Sequence, residues 1–467
     1  MKRFITIAML FATPFMSFSQ SLGYQDLGLL FSQNDHNGSA RFTAMSGAFG
    51  ALGGDVSSIN VNPAGISVFK NSTFSSTFNS RNSEIISNYY GTLKANSDQF
   101  INLSHAGAVL VFNNTYSKDW SKFAIGLGYR IQKDFNDTFL SEGNSGVATF
   151  TEYPLDTNEP AFVYDIADEQ RYTSINSGKL SELNVGLSSV YQNKLHVGLG
   201  LNFYDLNLTQ RSTLTEFNSD TNGNELDANF YQENFTTGAG FSVSAGFIYK
   251  AHQNFRFGLA YQSSAYFTEI SEESNIIAND GFYGDTEIIV SNDNLIYENT
   301  AGGYFPSQGL IYRLKTPSKL TASAALIFGK NGLLSIDYTN KNYKNIRLNG
   351  ANFTTENQFF QNNLKNTHDV RMGTEWRFDR LSVRAGLFKE QTPNINNLLN
   401  ENSIVNSSDT EGYSFGAGYN FGNFKLDFAY SDNNRTASYN MYSGFNVNAA
   451  VLKLNNKIFT ASVTLDL

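Results

Sequence analysis

Four arginines, Arg130, Arg256, Arg371 and Arg384, stand on the polar face of segments whose other face is apolar. A guanidinium can grip a carboxylate through two parallel hydrogen bonds, so these four are candidates to meet an acidic ligand head. They share that face with Glu375, Arg377, Lys425 and Asp427. The plainer expectation for most of them is ion pairing within the protein. Other chemistry is sparse. His36, His105, His196, His252 and His368 are scattered and show no metal-ligand spacing. There is no Gly-x-Ser-x-Gly nucleophile motif. No Gly-x-Gly continues into the Gly-x-Gly-x-x-Gly that opens a dinucleotide-binding helix. Residues 218–223 begin like a calcium loop, but Asn229 stands where the bidentate Glu is required. No metal, cofactor or catalytic residue is expected, and the chain reads as a non-enzyme.

Strands must position these side chains. Ala239, Phe241, Val243, Ala245, Phe247 and Tyr249 alternate with Gly240, Ser242, Ser244, Gly246 and Ile248. Leu195, Val197, Leu199, Leu201 and Phe203 alternate with His196, Gly198, Gly200 and Asn202. This is a period of two, with one apolar face and one small or polar face. Fourteen such segments lie near 72–81, 103–112, 122–135, 181–191, 195–209, 237–250, 254–268, 317–328, 332–345, 367–378, 381–390, 412–421, 423–431 and 458–467. An even number suits a closed bacterial barrel, and closure leaves no unpaired edge in lipid. Short connections at 192–194, 251–253, 329–331, 379–380 and 421–423 alternate with long polar ones at 136–178, 210–235, 269–316, 346–366, 391–411 and 432–457. Short periplasmic turns and long extracellular loops mark an outer-membrane barrel. The fold class is therefore all-β: a transmembrane antiparallel β-barrel of about 14 strands.

The ends and the composition agree. Met1-Lys2-Arg3 precedes an apolar run from Phe4 to Phe18, and Ser17 and Ser19 fit a cleavage site. This predicts a signal peptide over 1–19. No later apolar run reaches the ~18 residues of a spanning helix. The absence of Cys removes disulfides, thiolate metal sites and a lipid anchor on an N-terminal Cys. Aromatic residues make up 14%, whereas charged residues reach only 16% against ~25% in a typical soluble domain, which suits contact with lipid. A net charge of -9 argues against nucleic acid as a partner.

Residues 38–65, GSARFTAMSGAFGALGGDVSSINVNPAG, lie between the signal and the strands. Their small residues let backbones approach closely, and their apolar anchors argue for a compact plug rather than a linker. Asn62 suits a helix N-cap and Pro63 the first helical position, followed by Ala64, with Gly65 expected to stop the turn early. Asp55 suits a second cap, and Gly47, Gly53 and Gly54 permit left-handed turns. The run ARFTAMSGAF at 40–49, then ALGGD at 51–55 and NPAG at 62–65, resembles the N-terminal hatch of the FadL-type outer-membrane transporters. KTPSKL at 315–320 and LSVRAGL at 381–387 are similar to further features of that family.

The resemblance implies a hatch over 20–70 plugging the lumen of a barrel over 71–467. It implies transport of hydrophobic small molecules such as long-chain fatty acids, with ligand capture at the outer loops, a hatch shift, and lateral release into the membrane. Such ligands gain about 0.8 kcal/mol per buried CH₂ in an apolar pocket. Gly126 and Gly128 in the third strand are the candidate strand kink for such an exit, because Gly weakens a strand. The expected partners are the ligand, outer-membrane lipid and, during biogenesis, the barrel-assembly machinery, around a monomer. A plugged barrel acting as a scaffold is the alternative, and an outer-membrane lipid hydrolase a weaker one.

Overall fold

The computed structural model describes residues 22–113, 119–148, 150–153, 162–279, 287–290, 296–298, 308–395, 405–442 and 447–467. The signal peptide expected over 1–19 lies outside them. No helix among the described residues is long and apolar enough to cross a membrane.

Fourteen antiparallel strands form the wall. They are β1 (Thr73–Tyr89), β2 (Thr92–Asn113), β3 (Trp120–Asp134, continued by Asp137–Gly143), β4 (Ile166–Tyr191), β5 (Leu195–Ser219) and β6 (Glu225–His252). β7 (Phe255–Gln262, continued by Tyr266–Asn279), β8 (Gln308–Lys315, continued by Lys319–Phe328), β9 (Gly332–Asn342) and β10 (Asn366–Phe378) follow. β11 (Leu381–Glu390), β12 (Thr410–Asn420), β13 (Phe424–Tyr439) and β14 (Ala450–Asp466) complete it. β14 pairs with β1 from Thr73↔Asp466 to Asn88↔Val451, which closes the barrel. A separate four-stranded patch joins Phe150–Tyr153, Phe162–Val163, Glu287–Val290 and Ile296–Glu298.

The apolar face points outward. Leu199 is 64% exposed and Phe203 49%, while their neighbours His196 and Asn202 are buried. A soluble protein would reverse this; a lipid-facing wall requires it. Aromatic pairs mark the short-turn end, with Trp120 on Tyr191, Phe328 on Trp376, and Phe421 on Phe424 at centroid distances of 5.2, 5.8 and 4.6 Å. Such rings belong at a membrane interface, and the short-turn end is the periplasmic one.

The strands run farther toward the other end than the sequence suggests. The long connection expected at 210–235 is a continuous ladder between β5 and β6, turned at 220–224. The first hairpin turns at Tyr90 and Gly91 alone, with Gly91 at φ 90°. The physical reason is a change of parity. On β5, Leu199, Leu201 and Phe203 face outward, but beyond Tyr204 the apolar Leu206, Leu208 and Leu214 are buried, alongside Gln210, Ser212, Glu216 and Asn218, and Asn207 and Arg211 face out. Beyond Tyr204 β5 therefore carries leucines together with polar side chains on its inward face and polar residues on its outer one. The calcium-like residues 218–223 contribute to this hairpin turn, where Asp220 Oδ1 accepts from the Asn222 and Asn224 amides at 2.8 Å.

Candidate functional site

Residues 22–69 precede the wall and fold as α1 (Tyr24–Leu30), α2 (Ala40–Ala44) and two 3₁₀ turns, Val56–Asn60 and Pro63–Val68. Asn62 caps the second turn, accepting from the Ala64 amide at 3.1 Å, and Pro63 takes its first position. Gly65 does not stop this turn, which runs on to Val68; instead the residue packs against Gly53, whose φ is +60° and whose Cα has no room for a side chain. Gly47 and Gly54 also adopt positive φ, at 78° and 67°. Asp55 caps the first turn at Ser57 and accepts the Ser39 hydroxyl at 2.8 Å.

This segment is fastened to the inward face of the wall. Asn62 Nδ2 donates to Gly50 O at 2.8 Å and to Phe247 O on β6 at 3.0 Å. The Gly50 amide donates to Asp337 on β9 at 2.9 Å, and the Ala40 amide to Ser462 on β14 at 2.6 Å. Arg41 reaches Glu375 on β10 at 2.7 Å. Two Ser–His pairs act the same way. Ser57 Oγ lies 3.3 Å from His105 Nε2, and Ser67 Oγ 2.8 Å from His196 Nδ1. All four side chains are buried, and His105 Nδ1 and His196 Nε2 have no hydrogen-bond partner, so no carboxylate orients either ring.

Wall glycines make room for the segment. Gly126, Gly186 and Gly198 face Ile59, Ile66 and the Pro63–Ala64 peptide, while Gly238 and Gly240 face Ile270 and Phe267 of the wall instead. A Cβ on Gly198 would overlap the Ala64 backbone nitrogen. Gly198→Val is therefore expected to unseat the Pro63 turn without unfolding the barrel. Faster protease cleavage within residues 22–69 is the measurement that checks it.

Gly126 and Gly128 pair in register on both sides, with β2 and with β4. β3 shifts register against β4 on either side of them, first between Trp120 and Lys122. Pairing of β2 with β3 stops at His105↔Arg130, and β3 shifts register between Ile131 and Lys133. Beyond that point β2 pairs only with β1, and Asp137–Gly143 pairs only with β4. The N-terminal segment takes the freed groups. The Asp35 amide donates to Gln132 O at 2.8 Å, Asn37 Nδ2 to Ile131 O at 2.9 Å, and Lys133 Nζ to Asp35 at 2.7 Å. The interruption in β3 is thus set by a distant segment and not by its glycines, which serve close packing. Side chains alone bridge it: Asn102 Nδ2 donates to Asp134 at 3.0 Å and Lys94 meets Glu142 at 2.8 Å.

A cavity lies beside this interruption. Its lining includes Arg130 and Gln132, the aromatic Phe31, Tyr204 and Phe267, and the cations Lys319, Lys341 and Arg371. The three aromatic residues belong to a large apolar cluster that also holds Leu27 and Leu29 of α1, Leu206 and Leu208 of β5, and Phe360 of α3 (Thr354–Asn363). Three of the four candidate arginines already have carboxylate partners. Arg130 meets Glu182 at 2.5 Å, Arg384 meets Glu375 at 2.7 Å and Asp427 at 2.6 Å, and Arg371 pairs with Glu390. Arg256 lies apart from the cavity and donates to Leu52 O at 3.2 Å. Lys319 is the lining cation without a hydrogen bond or ion pair among the described residues. Its inward parity with Thr321 and Ser323, just past Pro317, was the sequence signal for it. His36, between α1 and α2, lies 2.8 Å from Glu390; burial, with help from the Arg371 guanidinium, pushes its imidazole down to about 3, so it is neutral at pH 7.

A closed fourteen-stranded barrel with an apolar outer belt and a helical segment at its inward face defines an outer-membrane protein. The chain belongs to the outer membrane protein transport family (OMPP1/FadL/TodX), whose profile matches residues 30–444. Members of this family are transport channels. Among solved structures, a Pseudomonas aeruginosa FadL homologue is similar at 15% identity and TM-score 0.59, covering 92% of this chain and 98% of its own. The Pseudomonas putida toluene transporter TodX is similar at 14% identity and TM-score 0.53, covering 93% and 100%. These likenesses speak to the fold. No match is found among curated protein sequences.

Proposed function

We propose that this chain takes up hydrophobic small molecules with an acidic head, long-chain fatty acids first among them, and releases them sideways into the outer membrane. Residues 20–70 act as the hatch that plugs and gates a barrel over 71–467, which is assembled by the barrel-assembly machinery and works as a monomer. The observation that carries this reading is the cavity lined both by aromatic residues and by the unpaired Lys319, beside Arg130 and Gln132 where β2 and β3 part. An acyl chain gains from the apolar cluster at about 0.8 kcal/mol per CH₂. Its carboxylate gains a charge-assisted bond to Lys319.

Two measurements test it. Lys319→Met should weaken palmitate binding by roughly tenfold or more, since a hydrogen bond to a charged group contributes about 1.5–3 kcal/mol. Toluene binding should change little. Equal loss for both ligands would place the head elsewhere. For the exit, Asn102→Cys with Asp134→Cys, joined by a short thiol-reactive linker, should abolish palmitate uptake that the unlinked pair retains. Uptake that survives linkage would rule out passage between β2 and β3.

A further inference from the structure

Inward cations of the wall mostly face carboxylates: Arg130 has Glu182, Lys341 has Asp369, and Arg384 has Asp427. The periplasmic ends of β3, β6 and β7 depart from this. Lys122, Lys250 and Arg256 share the inward parity of Ala124, Ile248 and Gly258, which are buried. Lys70, at the end of the N-terminal segment, completes the group. Arg256 stands directly opposite Lys250 across the β6–β7 ladder, Lys122 and His196 lie on either side of Val190 in one cross-strand row, and none of Lys70, Lys122, Lys250 and Arg256 forms an ion pair among the described residues. Asp119, the acid nearest Lys122 in sequence, bonds Gln192 at 3.0 Å.

Two of these cations fall back on backbone oxygens of the N-terminal segment. Lys122 Nζ donates to Phe69 O at 2.5 Å, and Arg256 Nη1 to Leu52 O at 3.2 Å. The Arg256 Nε is buried without a partner. His196, 2% exposed, stands among Lys250, Arg256 and Lys122, and its Nε2 is likewise unpartnered. Like charges gathered in a partly desolvated place repel one another unless an anion joins them. The whole chain carries an excess of acid, with a net charge of -9. The shortage of carboxylates here is therefore local.

We propose that Lys70, Lys122, Lys250 and Arg256 form an anion site on the periplasmic side of the N-terminal segment, for the carboxylate or phosphate head of an amphiphile. Both heads present the oxygens that ammonium and guanidinium groups bind best. The site is separate from the uptake cavity and does not depend on it. An arriving anion competes with the Phe69 and Leu52 carbonyls for Lys122 and Arg256. Occupancy is then linked to how firmly the segment is seated.

The test uses the full-length protein in neutral detergent at low salt, with inorganic phosphate as the probe. Phosphate should bind, and binding should fall roughly tenfold or more in Lys250→Gln/Arg256→Gln, as expected when charge-assisted bonds are removed. Lys70→Gln/Lys122→Gln serves as a second variant, and the mobility of the folded barrel on unboiled gels controls for folding. Palmitate and phosphatidylglycerol are then competed against phosphate. Stronger competition by palmitate assigns the site to a carboxylate, and by phosphatidylglycerol to a lipid headgroup. Absence of phosphate binding, equal binding by wild type and both variants, or no competition from either amphiphile overturns the proposal.

Discussion

Deleting residues 39–65 is expected to leave a folded barrel that leaks. These residues are core by burial: Ala40 and Met45 are 0% exposed, and Phe42, Phe49 and Leu52 pack with Ala325 and Leu333 of the wall. The wall does not need them to close, because its ladder runs from β1 through β14 and back by its own hydrogen bonds. What the deletion exposes is polar. Asp337, Ser414, Ser462, Glu375 and Arg384 would then face an open lumen, and a polar lumen fills with water. Conductance in planar bilayers should rise toward that of a water-filled barrel. Heat-modifiable gel mobility should persist. Unchanged conductance from a folded deletion variant would show that the segment does not plug the barrel.

The parts of this protein legible in its sequence are those fixed by local pattern. The membrane-spanning halves of the strands follow from alternation, and all fourteen expected segments fall on strands of the wall. The outer halves were hidden because past Tyr204 of β5 the apolar residues move to the inward face while the strand keeps its alternation. A reader following apolar residues on the outer face loses the pattern there and takes Gln210 and Arg211 for the start of a loop. Caps at Asp55 and Asn62 were legible because capping is a matter of two or three residues. The interruption between β2 and β3 was not. It depends on Asp35 and Asn37 meeting β3 backbone almost a hundred residues away, whereas Gly126 and Gly128 pair in register on both sides. The arginines teach the same lesson. Their spacing placed them on the lumen face, but which ones carry carboxylate partners is decided across strands, and Lys319 emerged only when those pairs were assigned.

Glu375→Gln is expected to loosen the N-terminal segment while sparing the wall. Glu375 is 1% exposed and accepts from three arginines: Arg41 Nε at 2.7 Å, Arg384 Nε at 2.7 Å and Arg377 Nη2 at 2.5 Å. The three do not depend on it equally. Arg384 keeps Asp427, and the Arg377 side chain is about half exposed and can turn to water. Arg41 belongs to α2 and retains only the Gly54 carbonyl at 3.1 Å and the Phe49 ring at 5.1 Å. The loss therefore falls on the segment. Breaking one side of a buried pair costs about 3–5 kcal/mol, because the remaining charge stays desolvated. Removing both sides is far milder, since apolar groups of similar size tolerate burial. Protease cleavage within residues 22–69 and leak current should both increase in Glu375→Gln. In Arg41→Met/Glu375→Met they should return most of the way to the wild-type level. A double variant that leaks as much as Glu375→Gln would locate the effect in the wall, through Arg384. The return in the double variant is the outcome that assigns Glu375 to holding the segment in place.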